Sequence, residues 1–143
     1  MTAKFVHLRT HSTFSLLEST IFIDDLVDLA VKNNMPAVAL TDSGNLFALL
    51  EFSQNASKKG IQPIIGCEMK FLDSEQKNIY RINEPKLDKI VLLAQDQTGY
   101  KNLLYIVSDS FIDSDSNLAV HTDMSKLKEF NQGLIVLLSL IHI

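Results

Sequence analysis

Short apolar runs alternate with amphipathic stretches along most of the chain. Residues 21–33 place Ile23, Leu26, Val27, Ala30 and Val31 at i, i+3, i+4 spacing, which predicts a helix. Asp24 and Asp25 fall in its first turn and Lys32 in its last, matching the helix dipole, and Met35-Pro36 ends it. Residues 36–40 (PAVAL) are apolar without alternation, the pattern of a buried parallel strand. A turn cluster follows at 41–45, then a second helix over 46–59 closed by Gly60, then a strand over 62–71. Residues 4–10 predict a first short strand, and 12–20 are polar and loop-like. Residues 72–86 form a polar hairpin or loop excursion. Beyond it come a buried strand at 89–94, a helix at 98–108, an exposed loop at 109–121, a short helix at 124–130 and a last buried strand at 133–138. Strands interleaved with amphipathic helices predict an α/β fold with a parallel sheet and right-handed crossovers. Its functional edge is where strands end and helices begin.

Composition narrows the possibilities. A chain of 143 residues with 46% hydrophobic and 21% charged positions can build a core and suits one domain or part of one. The net charge of −4 argues against non-specific nucleic-acid binding through this segment. Cys67 is the single cysteine, so neither an internal disulfide nor a cysteine-based zinc site is available, and a buried structural thiol is expected. The opening MTAKFVHLRTHS lacks an apolar signal region, and no apolar run reaches about 18 residues, so a cytoplasmic chain without a membrane span is expected.

Three segments carry candidate chemistry. On a strand, His7, Arg9 and His11 would project from one face, as metal ligands can; alternatively one histidine caps the strand end and the others are solvated. Asp42 follows a buried strand, where a carboxylate can face a cleft; alternatively Asp42 or Asn45 satisfies backbone N–H groups in a turn. Glu68 lies within the apolar run Ile65-Gly66-Cys67-Glu68, which is costly unless it is paired, hydrogen-bonded, metal-bound or at a solvated edge. Lys58-Lys59 reads as a solvated helix end, and His121 and His142 have no motif around them.

Together these segments resemble the PHP domain (polymerase and histidinol phosphatase family), in the form found at the N-terminus of bacterial DNA polymerase III alpha subunits. The likeness is carried by FVHLRTHSTFSLLE at 5–18, MPAVALTDSGNLF at 35–47, GIQPIIGCE at 60–68, TGYKNLL at 98–104 and GLI at 133–135. It implies a parallel-stranded, distorted (β/α)7 barrel, here truncated, with residues 1–138 as the N-terminal part of a PHP domain. Residues 139–143 are an uninterpreted tail that resembles a truncation scar. Metal-active members bind up to three metals through His, Asp and Glu at the strand ends and hydrolyse phosphoesters by metal-activated water.

Several positions depart from that pattern. Arg9 stands where the family has the first histidine of its HxH pair, a cation that cannot ligate a metal. Ser43 replaces the histidine of TDHG, and Glu18 replaces the aspartate of LLDG. His11 and Glu68 remain as residual ligands, with Glu18 weaker, so neither a multinuclear centre nor residual Zn²⁺ or Mn²⁺ is expected, while one metal held by His11, Glu68 and residues beyond this chain stays open. Arg9 is expected to pair with Glu68 or Glu18 in place of metal charge. The resemblance further implies a parent that synthesises DNA with Mg²⁺ on palm carboxylates outside this chain. This segment would support the polymerase body, with the other replicative subunits, including a proofreading exonuclease subunit, as partners. DNA would be reached through the missing regions, and the fragment alone would be inactive, marginally stable and prone to aggregate. Two other classes remain open: a metal-dependent phosphoesterase or 3'-5' proofreading exonuclease, and a pure interaction module.

Overall fold

A computed structural model describes residues 5–72, 87–112 and 120–138 of the chain. The expected hairpin at 72–86 and the tail at 139–143, with His142, lie outside the described residues, as do most of the residues between 109 and 121. The chain forms two compact units, Met1–Cys67 and Glu68–Ile143. Among the described residues no helix is long and apolar enough to cross a membrane.

The first unit contains α1 (Ile23–Lys32), β1 (Ala37–Leu40), α2 (Leu49–Lys58) and the start of β2 (Gln62–Leu72). The apolar stripe of α1 buries Ile23, Leu26, Val27 and Ala30, while α2 buries Leu49, Phe52 and Ala56. The two helices are also tied at their surfaces. Asn55 donates to Asp24 at 2.7 Å, and the Lys59 ammonium meets Asp28 at 2.6 Å. That hydrogen bond to Asp28 holds the Lys59 amine above its ordinary value. All four residues of β1 are buried, and they pair in parallel with β2 from Ala37 opposite Gln62 to Leu40 opposite Ile65.

Both helices leave by the same device. After α1, Asn34 adopts φ +52°, its N–H reaches Val31 O, and the Met35 N–H reaches Ala30 O. After α2, Gly60 adopts φ +73°, its N–H reaches Ser57 O, and the Ile61 N–H reaches Ala56 O. This is the Schellman pattern, which satisfies the last carbonyls and turns the chain back toward the sheet. Asparagine and glycine stand there because they tolerate the left-handed conformation. Pro36 had looked like the stop signal for α1, but the turn is already complete at Asn34.

The expected strand at 4–10 does not form over the described residues. Residues 7–10 run alongside β1: the Ala39 N–H donates to His7 O at 2.9 Å and the Thr41 N–H to Thr10 O at 2.8 Å. Three peptide steps on one side face two on the other, so the regular ladder is broken. Side chains complete it, with the Thr41 hydroxyl bonded to both Thr10 N and Thr10 O and the Thr10 hydroxyl donating to Ala39 O. The two-residue alternation that would have aligned His7, Arg9 and His11 is therefore lost.

In the second unit, β3 (Asp88–Ala94) lies between β2 and β5 (Leu134–Leu138) in strand order. A two-residue strand absent from the sequence expectations, β4 (Thr122–Asp123), pairs in parallel with Phe71 and Leu72 of β2. The pairing of β3 with β5 is antiparallel, from Ile90 opposite Leu138 to Ala94 opposite Leu134. The fold class is α/β, with a mixed sheet rather than the all-parallel one expected. Nor is β5 a buried strand: Ile135, Val136 and Leu138 are 45%, 39% and 71% exposed.

Helix α3 (Gln97–Ile112) runs four residues beyond expectation, into the stretch read as loop. Two contacts hold that extension. Buried Ser110 returns its hydroxyl to Val107 O at 2.6 Å, and Asp109 pairs with Lys126 of α4 (Met124–Glu129) at 3.1 Å. Tyr105 stacks on Phe130 with ring centroids 4.1 Å apart, extending the contact between α3 and the end of α4.

The start of α3 lies directly against the turn into β5, where a Cβ on Gly99 would overlap the Gly133 carbonyl. Gly60, by contrast, has open space around it. Gly60→Ala should therefore lose only the backbone term of about 1–2 kcal/mol. Gly99→Ala should lose about 3 kcal/mol or more, because backbone rather than a movable side chain obstructs it. Denaturant unfolding of the two variants checks the order, and equal losses would contradict it.

Candidate functional site

The buried Asp42 organises the first unit's polar cluster. It follows β1 and is 2% exposed, so it does not face an open cleft as expected. Its Oδ1 accepts the Ser12 N–H and the Ser15 hydroxyl, each at 2.6 Å, and its Oδ2 accepts the Ser12 hydroxyl at 2.7 Å. A buried carboxylate is tolerable only with such compensation, and charged acceptors make the stronger hydrogen bonds. The three bonds fix the turn at 12–15. The Thr13 N–H to Ile21 O bond, at 3.0 Å, closes the loop behind it.

Next to Asp42, Ser43 takes the position of the family's histidine. Its N–H donates to Ser15 Oγ at 3.0 Å and its hydroxyl to Glu18 Oε2 at 2.5 Å. Asn45 holds the next turn, donating to Phe14 O and Ser43 O and accepting the Phe47 N–H. Cys67 is fully buried, and its thiol faces Asp42 O at 3.2 Å and Asn45 O at 3.5 Å, the inert structural role expected of it.

His11 is half-buried at the centre of the cluster. Its Nδ1 lies 3.2 Å from Ser15 Oγ, 3.4 Å from Ser43 Oγ and 3.4 Å from Glu18 Oε2. The Ser15 proton is committed to Asp42 and the Ser43 proton to Glu18. All three neighbours therefore present lone pairs to Nδ1, which assigns the ring proton to Nδ1. With the proton on Nδ1, the ring's remaining lone pair lies on Nε2.

The structure thus brings together His11, Glu18, Ser43 and Asp42 and separates them from His7. His7 is exposed, with its ring edge-on to Phe5 at 4.7 Å, so it is not cleft-facing. Arg9 is also exposed. Glu18 borders an open concavity of about 530 Å³ lined by residues 17–21.

In the second unit, Glu68 is 3% exposed and is not an edge-facing solvated residue. The Lys89 ammonium, from the start of β3, meets its Oε1 at 2.9 Å. Ser12, Ser15 and Lys89 were missed from the sequence. The spacing HSTFS next to the candidate histidine was a signal for the serines. A lysine opening an apolar strand was a signal for Lys89.

Two positions where the resemblance expects ligands hold non-ligands, Arg9 and Ser43. The Glu18 oxygen facing His11 accepts the Ser43 hydroxyl, and Glu68 faces an ammonium.

The PHP domain profile matches residues 7–142, and the chain belongs to the PHP domain family. Among its relatives is the DNA polymerase III subunit alpha of Rickettsia felis, 44% identical over 137 residues, which are 96% of this chain and 11% of that protein. The Borreliella burgdorferi subunit is 37% identical over 139 residues, 93% of this chain and 12% of the relative. The chain therefore spans about one-ninth of the length of these relatives and matches their N-terminal PHP region. Solved structures agree on the fold. An amidohydrolase from Chromobacterium violaceum superposes with TM-score 0.51 at 21% identity, over 73% of this chain and 34% of that one. A Bifidobacterium adolescentis protein assigned as a metal-dependent phosphoesterase gives TM-score 0.52 at 17% identity, over 73% and 32%.

Asp42→Ala should destabilise the chain by about 3–5 kcal/mol, since it leaves buried donors on Ser12 and Ser15 without their acceptor. Asp42→Asn retains one oxygen acceptor and should lose roughly half as much. Urea unfolding measures both, and an alanine loss below about 1 kcal/mol would rule out Asp42 as the organising residue.

Proposed function

We propose that this chain is the N-terminal part of the PHP domain of a DNA polymerase III alpha subunit, whose full protein carries out DNA-directed DNA synthesis in chromosome replication. The observation that carries the reading is 44% identity to such a subunit over 96% of the chain. In this reading Mg²⁺-dependent nucleotidyl transfer belongs to palm carboxylates outside the chain. The PHP segment supports the polymerase body and docks other replicative subunits, including a separate proofreading exonuclease subunit, in the cytoplasm. DNA is bound by regions beyond this segment. The hydrogen bond from Ser43 to Glu18, at two of the positions that depart from the family pattern, favours this supporting role over hydrolysis.

The second reading is a metal-dependent phosphoesterase or a 3'-5' proofreading exonuclease. The fold likeness to a phosphoesterase favours it, and Arg9 and Ser43 oppose it. Purified full-length protein tests the two directly. Primer extension in Mg²⁺ is expected, with no stoichiometric Zn²⁺ or Mn²⁺ in the PHP segment and no EDTA-sensitive release of nucleotides from a 3' end. Bound metal together with such cleavage would favour the second reading. A protein that lacks primer extension altogether would remove the polymerase reading.

A further inference from the structure

The buried carboxylate of Glu68 poses a problem that the family solves with metal ions. Glu68 is 3% exposed, and Cys67 and Met69 on either side of it along β2 are fully buried on the opposite face. A carboxylate in such a place must be protonated, be hydrogen-bonded, bind a metal or acquire a cation. The Glu68 side chain is 2% exposed, and Lys89 reaches it at 2.9 Å with a side chain that is 35% exposed. A lysine is suited to this task. Its four-carbon stem packs along the sheet, and its ammonium is a compact point charge.

We infer that Lys89 is a built-in counter-cation, supplying to Glu68 the positive charge that a metal ion supplies elsewhere in the family. An ammonium 2.9 Å from Oε1 and a divalent ion compete for the same oxygen, because each supplies the positive charge that one carboxylate requires. Removing the ammonium should therefore both destabilise the chain and open Glu68 to divalent cations. The inference rests on the non-hydrolytic reading above, but its central test is made without metal.

The experiment is a double-mutant cycle on the full chain in EDTA, with Lys89→Met, Glu68→Gln and the double variant. Lys89→Met is expected to lower Tm by at least about 4 °C, and the double variant to recover part of that loss. With Zn²⁺ or Mn²⁺ alone added, Tm should rise for Lys89→Met, stay constant for wild type and stay constant for the double variant. Lys89→Arg keeps the charge, so it should match wild type in both stability and metal indifference. It also keeps the test decisive if Lys89→Met does not fold. Additive losses in EDTA, or an arginine variant as damaged and metal-responsive as the methionine one, would overturn the inference. A rise in wild-type Tm with added metal would overturn it as well, whereas EDTA-sensitive nucleotide release by the full-length protein, with coupling in EDTA intact, would count against the non-hydrolytic reading alone.

Discussion

Three donors converge on the carboxylate of Asp42 where β1 ends. Their convergence decides the shape of everything between residues 11 and 45. Without a buried acceptor there, the turn at 12–15 has nothing to close on, and Ser15 has no reason to aim its proton away from His11. Because Ser15 donates to Asp42, it can accept the Ser43 N–H and present a lone pair to the imidazole. One buried charge thereby sets the polarity of the hydrogen bonds around His11, including the side of the ring that holds the proton. Networks of this kind have a direction, and the direction here starts from the group least able to change it.

The two candidate carboxylates beyond Asp42 are neutralised by different means. Glu18 is partly exposed and needs little: a hydroxyl proton and a nearby ring N–H suffice. Glu68 is almost wholly removed from water and takes a full positive charge. The difference follows burial, as the desolvation cost of an ion requires.

The elements that were legible in the sequence are those whose own pattern sufficed. The α1 stripe, the PAVAL run, Gly60 and the buried Glu68 all declared themselves through spacing or chemical cost. What stayed hidden depended on distant partners. Residues 4–10 carry the residues of a strand, but one extra peptide step against β1 and the hydroxyls of Thr10 and Thr41 replace the regular ladder. The antiparallel direction of β5 is set by its pairing with β3, and its five apolar residues read the same in either direction. Ser12 and Ser15 looked like loop polarity because the acceptor that gives them meaning lies about thirty residues away. The role of Lys89 depends on Glu68 of β2, about twenty residues away in sequence.

The paired helix exits at Asn34 and Gly60 reach further than the ends of the helices they close. Each delivers the chain into its strand at a fixed distance from the left-handed residue, which sets Ala37 opposite Gln62. Along β2, successive side chains point to opposite faces, so that starting register also dictates which way Cys67 and Glu68 look, several residues downstream. A single-residue deletion between Gly60 and Gln62 would move every later side chain by one place, putting Met69 in the Glu68 position and the carboxylate in the Cys67 position toward the Asp42 turn. Length at this exit is thus a stricter constraint than residue type. The chain can tolerate many substitutions there that it could not tolerate as a frame of one residue more or less.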